Sequence, residues 1–141
     1  MKTPNHFNVI VLEDSDFYNS ILTRQLQTYT DSIAVDKHFS YDIQSYTNIK
    51  DCIRNLKPET DIAFLDYYLN DGNALDVMKK IKQKCENCKI IILSQIKNIK
   101  TSLQTLNEGA SDFICKDRHA LARCCYILEE IINQRLRLGA Q

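Results

Sequence analysis

The sequence predicts an α/β fold in which a five-stranded parallel sheet carries helices on both of its faces. Along the 141 residues, short apolar segments alternate five times with segments whose apolar residues recur at helical spacing. Residues 89–94 are apolar almost throughout, which is typical of a central parallel strand buried on both faces. Five strand–helix repeats with short linkers favour right-handed crossovers within a single domain spanning residues 1–141.

The first two strands and the helix between them have distinct signals. Residues 7–12 form an apolar run, and the alternation of apolar and polar residues over 39–46 predicts the second strand. Between these strands, apolar residues recur at helical spacing over 16–29. The polar segment 30–37 is predicted to be irregular, with an extension of the second strand into a hairpin as the alternative.

The middle of the chain repeats this order. Asn48 is a suitable N-terminal cap for a short helix, which ends before Pro58. The apolar run within residues 61–66 predicts the third strand, whose last residue is a carboxylate. Residues 73–84 then carry their apolar side chains along one face and predict the third helix.

The last part of the chain supplies two further strand–helix pairs. The continuous apolar run at 89–94 is the fourth strand, and the helix predicted over 98–108 is followed by Gly109, where a C-terminal cap belongs. Residues 112–115 form a fifth short strand. The final helix is predicted over 119–138, with regularly spaced leucine and isoleucine residues as its inner face.

Composition and charge exclude several classes of protein. Eighteen basic and eighteen acidic residues give a net charge of zero, so the chain has no basic footprint for nucleic acid. No run reaches the roughly 18 apolar residues that a membrane span needs. The N-terminal segment becomes acidic before it could form the apolar region of a signal peptide. These features predict a cytoplasmic protein that binds neither nucleic acid nor membranes.

Six cysteines raise the question of disulfides or zinc. Without an export signal, and with a core large enough to fold without covalent cross-links, we expect reduced thiols. Cys85 and Cys88 have the spacing of a zinc knuckle, but a structural site needs four ligands and no second suitable pair follows. The adjacent Cys124 and Cys125 would point about 100° apart on a helix. No zinc site is predicted.

Charged and polar residues follow four of the five predicted strands. In open parallel sheets, ligands bind in the crevice beyond the carboxyl ends of the strands. The residues delivered to that edge are Glu13 and Asp14 after the first strand, Asp66 at the end of the third, Ser94 at the end of the fourth and Lys116 after the fifth. We therefore expect these side chains to share one small pocket.

The chemistry of this set favours a cation and a phosphoryl group. Three neighbouring carboxylates repel one another, and burial increases that repulsion. A divalent cation offsets it, and an all-oxygen site suits Mg²⁺, which usually works together with phosphate oxygens. Lys116 can contact an added anion, and Ser94 can donate a hydrogen bond to it. Asp66 is then the natural nucleophile for an aspartyl phosphate.

At these positions the chain resembles the receiver domain of response regulators from bacterial two-component signalling. The matching residues are Glu13 and Asp14 for the acidic pair that helps to bind Mg²⁺, Asp66 for the phosphoacceptor, Asp71-Gly72 for the pair after the phosphoacceptor loop, Ser94 and Phe113 for the switch residues, and Lys116 for the switch lysine. The resemblance runs from about Val9 to the last helix. It implies a flavodoxin-like (βα)5 fold with strand order 2-1-3-4-5.

The resemblance also implies a function. A sensor histidine kinase, a phosphotransfer protein or a small phosphodonor would phosphorylate Asp66 in the presence of Mg²⁺, with the backbone carbonyl of Tyr68 as a further metal ligand. Ser94 would then move inward and Phe113 would follow. A downstream protein would read the face made by the fourth helix, the fifth strand and the fifth helix, which can also form a homodimer. Such a chain is a signalling phosphoacceptor rather than an enzyme.

Three positions depart from the family pattern. Asp117 follows Lys116 where the family usually has proline after a cis bond, so this bond is expected to be either trans or strained. Gln95 stands where a small residue often follows the switch serine, and its side chain would restrict access to the phosphoryl group. Tyr68 is bulky at a position that tunes dephosphorylation, and with Tyr67 it would shield the acyl phosphate from water.

Two other functions are open at this stage. A Mg²⁺-dependent phosphatase or other hydrolase with Asp66 as its nucleophile would need an acid/base carboxylate two residues later, where the chain has Tyr68. It would also need a substrate-binding cap, and no insertion is large enough to form one. A pseudo-receiver that binds partners without chemistry is disfavoured because the acidic pair, the acceptor and the lysine are all present.

Overall fold

A computed structural model describes residues 5–95 and 98–139. The two ends of the predicted domain, residues 1–4 and 140–141, lie outside the described residues. No described helix is long and apolar enough to cross a membrane.

One sheet with five parallel strands organises the molecule, and a two-stranded antiparallel hairpin lies beside it. The sheet strands are β1 (His6–Leu12), β2 (Ser40–Tyr46), β3 (Ile62–Asp66), β6 (Lys89–Ser94) and β7 (Asp112–Cys115), and the hairpin strands are β4 (Tyr68–Leu69) and β5 (Gly72–Asn73). The order across the sheet is β2-β1-β3-β6-β7, which confirms the predicted order 2-1-3-4-5 once the hairpin strands are set aside.

Alternating side chains of the central strands build a separate core on each face of the sheet. From β1, Val9 and Val11 point to one face while Ile10 and Leu12 point to the other, as the two-residue period of a strand requires. The helices are α1 (Asp16–Lys37), α2 (Ile49–Arg54), α3 (Ala74–Lys84), α4 (Ile99–Asn107) and α5 (Ala120–Gly139). The first face packs against α1 and α5, and the second packs mainly against α2 and α3.

The first helix is longer than its sequence pattern predicts. Residues 30–37 are helical, so neither the irregular segment nor the hairpin extension expected there is present. Packing against α5 explains the extension, because the Tyr29 hydroxyl hydrogen-bonds Glu129 and the Lys37 ammonium lies 3.6 Å from the same carboxylate. The helix stops at His38, whose left-handed backbone (φ 57°) lets its N–H reach the carbonyls of the last turn.

Candidate functional site

The register of the central strands brings their carboxyl ends level with one another. Leu12 of β1 pairs with Leu65 of β3, so the next residues along each strand, Glu13 and Asp66, leave the sheet side by side. On the other side, Ser94 of β6 pairs with Cys115 of β7, which places Lys116 just beyond the same edge. Parallel pairing therefore collects side chains that are far apart in the sequence.

Three carboxylates form the centre of this edge. One oxygen from each of Glu13, Asp14 and Asp66 lies within 4.8 Å of the other two. Glu13 is 2% exposed and Asp66 7%, whereas Asp14 is half-buried. A hard cation that prefers oxygen ligands fits this donor set, and the partly open side at Asp14 leaves room for water molecules or for the oxygens of a second ligand.

Lys116 supplies the positive charge of the site. Its ammonium forms an ion pair with Glu13 and lies 3.2 Å from Oδ1 of Asp66, and the side chain is only 6% exposed. The backbone N–H of Lys116 donates to the Ser94 carbonyl at 2.8 Å, which fixes the start of the loop after β7. The described residues contain no cis peptide bond, so the bond between Lys116 and Asp117 is trans.

The site holds more negative than positive charge. Burial, together with the charge of Glu13, raises the pKa of Asp66 to about 7, although Lys116 opposes this shift. One ammonium shared by two buried carboxylates does not neutralise both of them, and Asp14 adds a third. The arrangement therefore favours a ligand that brings positive charge to the carboxylates.

Ser94 and Phe113 lie on the two strands next to this cluster. Ser94 is fully buried at the end of β6, directly after Leu93, which pairs with Asp66. Phe113 is half-buried on β7 and packs against the core on the α2–α3 face. Ser94 is thus next to the acidic cluster, and Phe113 belongs to the face formed by α4, β7 and α5.

Comparison with known proteins identifies the family. The model of the response regulator receiver domain matches residues 9–122, which is most of the chain. The chain belongs to the response regulator receiver domain family. It is a receiver domain of the two-component type, and phosphorylation of an aspartate with switching of partners is a general property of this family.

Relatives and solved structures are consistent with this assignment. The chain is 31% identical to the response regulator protein PilR of Pseudomonas aeruginosa over 69% of its own length and 21% of that protein. It is 24% identical to the transcriptional regulatory protein CssR of Bacillus subtilis, over 78% of this chain and 44% of that one. The chain thus spans less than half the length of either relative.

Two receiver structures share the fold. The non-phosphorylated HemR receiver domain from Leptospira biflexa superposes with a TM-score of 0.74 at 24% identity, and the match covers 89% of this chain and 94% of the HemR chain. A CheY-like receiver domain protein from Methanospirillum hungatei superposes with a TM-score of 0.71 at 15% identity, covering 94% and 98% of the two chains. At these identities the likeness is one of fold.

The Asp-Gly pair of this receiver has a structural role in the loop after β3. Oδ2 of Asp71 accepts a hydrogen bond from the backbone N–H of Ile49 at 3.0 Å, so it joins the loop to the start of α2. Gly72 has a φ of +153°, and a Cβ there would lie 2.9 Å from Cδ1 of Ile49. Residues with a side chain rarely adopt this φ, so the turn favours glycine at this position.

The same loop borders the acidic cluster. Oδ2 of Asp14 accepts a hydrogen bond from the backbone N–H of Asn70 at 2.8 Å, so the loop closes over one side of the cluster. Tyr68 is 47% exposed and its ring meets that of the buried Tyr67 edge-on, with centroids 4.7 Å apart. Gln95, the residue after Ser94, is exposed.

Two residues at the start of α1 belong to the site but were missed from the sequence. Asn19 is buried and its amide donates to the carbonyls of Glu13 (3.0 Å) and Tyr46 (2.9 Å), which fixes the loop that carries the acidic pair. The ring of Tyr18 lies under the Lys116 ammonium, 4.6 Å from Nζ to the centroid. In the sequence, only the presence of a polar residue at an inward-facing position of the first helix could have indicated a role for Asn19.

None of the cysteines belongs to the acidic cluster. All six are free thiols. Cys85 and Cys88 are both buried at a turn, where the Cys88 N–H donates to the Cys85 carbonyl and the Cys85 thiol donates to the carbonyl of Lys57. Burial raises the pKa of both thiols, which opposes formation of the thiolates that zinc requires. Among the described residues, only the acidic cluster has the spacing of a metal site.

Proposed function

We propose that this receiver accepts a phosphoryl group on Asp66, with Mg²⁺ bound by Glu13, Asp14 and Asp66. The observation that carries the proposal is the meeting of three carboxylate oxygens within 4.8 Å with a lysine ammonium 3.2 Å from Asp66. Mg²⁺ would neutralise the carboxylates and bind phosphoryl oxygens. The backbone carbonyl of Tyr68, in the loop beside the cluster, is a further candidate ligand.

The residues of the chain divide the transfer between them. An oxygen of Asp66 attacks the phosphorus atom, a new O–P bond forms, and the bond from phosphorus to the donor nitrogen or oxygen breaks with its electron pair on the donor. Lys116 leaves Glu13 and contacts a phosphoryl oxygen as a point charge. Ser94 donates its hydroxyl proton in a hydrogen bond to another phosphoryl oxygen. The protein contributes position and charge neutralisation.

The output would pass through the face formed by α4, β7 and α5. Movement of Ser94 toward the phosphoryl group leaves space that Phe113 takes up, and a groove between these three elements is lined by Ser102, Phe113 and Arg123. Ile99 and Leu103 on α4 are 72% and 57% exposed, which gives this face an apolar surface for a downstream protein. A homodimer through the same face is the other form of output.

The phosphoryl donor is a sensor histidine kinase or a phosphotransfer protein in the cytoplasm. The chain itself catalyses only its own phosphorylation and dephosphorylation, and it binds no nucleic acid.

Tyr68 and Gln95 tune the lifetime of the acyl phosphate, because both lie beside the site with exposed side chains. Exchange of Tyr68 for asparagine should therefore change the phosphoryl half-life, and an unchanged half-life would remove Tyr68 from this role.

The decisive experiment adds Mg²⁺ with beryllofluoride or acetyl phosphate and follows backbone NMR shifts and phosphorylation. Relative to Mg²⁺ alone, we expect the added beryllofluoride or acetyl phosphate to give a saturable response in the wild type and none in Asp66→Asn. Asp42→Asn is the matched control, because Asp42 lies on the edge strand β2, which supplies none of the three carboxylates. Steady turnover of a phosphoester would instead indicate a hydrolase, and the absence of any response would indicate a pseudo-receiver.

A further inference from the structure

We infer that Tyr18 is a positioning residue, whose ring holds the Lys116 ammonium beside Asp66. The Lys116 Nζ lies 4.6 Å from the centroid of the ring. The role of this contact in phosphoryl transfer rests on the proposed function, because it assumes that Lys116 contacts a phosphoryl group on Asp66. The contact between the two side chains does not, and it can be tested separately.

The backbone of Tyr18 is fixed by the start of α1. The Ser15 hydroxyl caps the helix by accepting a hydrogen bond from the Tyr18 N–H at 3.3 Å. Helical geometry then directs neighbouring side chains in different directions. Phe17 is 76% exposed, whereas Tyr18 turns inward and packs against the core between α1 and α5. The ring consequently reaches Lys116 from the helix that follows the acidic pair.

The ammonium of Lys116 is held from two sides. Carboxylates of Glu13 and Asp66 lie on one side, and the aromatic face lies on another. An aromatic face attracts a cation through its quadrupole, and this attraction is stronger where water is excluded. The ring uses no directed acceptor for this contact, so the N–H groups of Lys116 stay available to carboxylates or to an incoming oxygen. A flexible four-carbon side chain is thereby confined without losing its donors.

The ring carries this role without the hydroxyl. The Tyr18 hydroxyl oxygen is buried and has no hydrogen-bond partner within residues 5–95 and 98–139. Replacement by phenylalanine therefore keeps the aromatic face and removes a group that makes no described hydrogen bond. Tyr18→Phe is the conservative variant, and Tyr18→Leu removes the ring while keeping an apolar side chain.

The first measurement needs neither metal nor phosphodonor. Protons on the Lys116 carbon next to Nζ should be shifted upfield by the ring current in the wild type. We expect Tyr18→Phe to keep this shift and Tyr18→Leu to lose it, while Phe17→Leu, at the exposed neighbour, leaves it unchanged. If the leucine variant does not fold, Tyr18→Met, with an unbranched side chain, takes its place. An equal Lys116 shift in the phenylalanine and leucine or methionine variants would overturn the inference.

The second measurement is the affinity for beryllofluoride at saturating Mg²⁺. Loss of the ring should weaken this affinity by about threefold to thirtyfold, the range that corresponds to a partly desolvated cation–π contact. Tyr18→Phe should stay within about twofold of the wild type. In a Lys116→Met background, loss of the ring should have no further effect, whereas a persistent effect would show that Tyr18 only fills the core. If the wild type itself fails to bind, the proposed function fails and the NMR shift alone decides the role of Tyr18.

Discussion

The strand β3 has a buried aspartate at each end, and the two aspartates have different surroundings. Asp61 precedes the strand and is 4% exposed, and Asp66 ends it and is 7% exposed. At Asp61 one oxygen pairs with the Arg135 guanidinium of α5, and the other accepts a hydrogen bond from the Asn8 N–H at 2.8 Å. Asp66 shares the ammonium of Lys116 with Glu13.

The difference separates a carboxylate with partners of its own from one that shares its partner. A buried charge with its own partners is neutralised within the protein and joins two elements, here the start of β3 and the end of α5. A buried charge that shares its partner raises the free energy of the unliganded site and favours a positively charged ligand. At the amino edge of the sheet the buried carboxylate of Asp61 is therefore neutralised by Arg135, whereas at the carboxyl edge two buried carboxylates share one ammonium.

The largest expected effect is on the aspartate that has partners of its own. Asp61→Ala should lower the free energy of unfolding by about 3 kcal/mol, because it leaves the Arg135 guanidinium and the Asn8 N–H without their acceptor. Chemical denaturation measures this change. Beryllofluoride affinity at temperatures where the variant is folded should equal that of the wild type. A stable Asp61→Ala variant with altered ligand binding would contradict the division between the two edges.

The second effect concerns cation binding at the other edge. Burial raises the pKa of Asp66 to about 7, so below that pH the site must release a proton before it can hold a cation. Affinity for Mg²⁺ should fall by a factor that approaches tenfold for each pH unit below 7, or roughly fiftyfold between pH 7 and pH 5. NMR titration with Mg²⁺ at several pH values measures this slope.

The control for this slope is the amide variant. Asp66→Asn should bind Mg²⁺ more weakly, with a much flatter dependence on pH, because the group that exchanges the proton is gone. A wild-type affinity that stays constant from pH 7 to pH 5 would show that Asp66 is ionised throughout. In that case the ammonium of Lys116 would outweigh burial and the charge of Glu13 in setting the pKa of Asp66.

The third effect is a gain of stability without metal. The folded-state pKa of Asp66 exceeds its ordinary value of 3.8, so between these values the folded protein binds more protons than the unfolded chain. The contribution of Asp66 to stability therefore falls as the pH rises from about 4 to about 7. Above that window Asp66→Asn should be more stable than the wild type by about 1–2 kcal/mol. Denaturation at pH 8 in the presence of a chelator measures this gain. If Asp66→Asn is instead less stable than the wild type, the ion pair with Lys116 more than offsets the unfavourable burial of the Asp66 carboxylate.

The sequence predicted the residues at the carboxyl edge of the sheet better than those at the amino edge. Strand ends are visible as the points where apolar runs stop, and parallel pairing then brings Glu13, Asp66 and Lys116 to one edge. Asp61 gives no comparable signal, since its partner Arg135 lies on the helix α5 and not at the end of a strand. The same reason explains the missed end of α1, where packing against Glu129 extends a helix beyond its apolar period. Contacts between distant elements follow from packing, and local patterns do not contain them.

The smallest expected effect tests whether burial or position distinguishes the two edges. Asp42 on β2 belongs to the same amino edge as Asp61 and contacts Nε2 of His6 at 3.2 Å, but its side chain is 65% exposed. Water solvates an exposed carboxylate whether or not its neighbour is present, so Asp42→Asn should change the free energy of unfolding by less than about 0.5 kcal/mol. Denaturation at neutral pH, run beside Asp61→Ala, measures both. If Asp42→Asn lowers the free energy of unfolding nearly as much as Asp61→Ala does, then any carboxylate at this edge stabilises the fold. If Asp42→Asn leaves the free energy of unfolding unchanged, the stabilisation comes from the burial of Asp61 and from its contacts with Arg135 and Asn8.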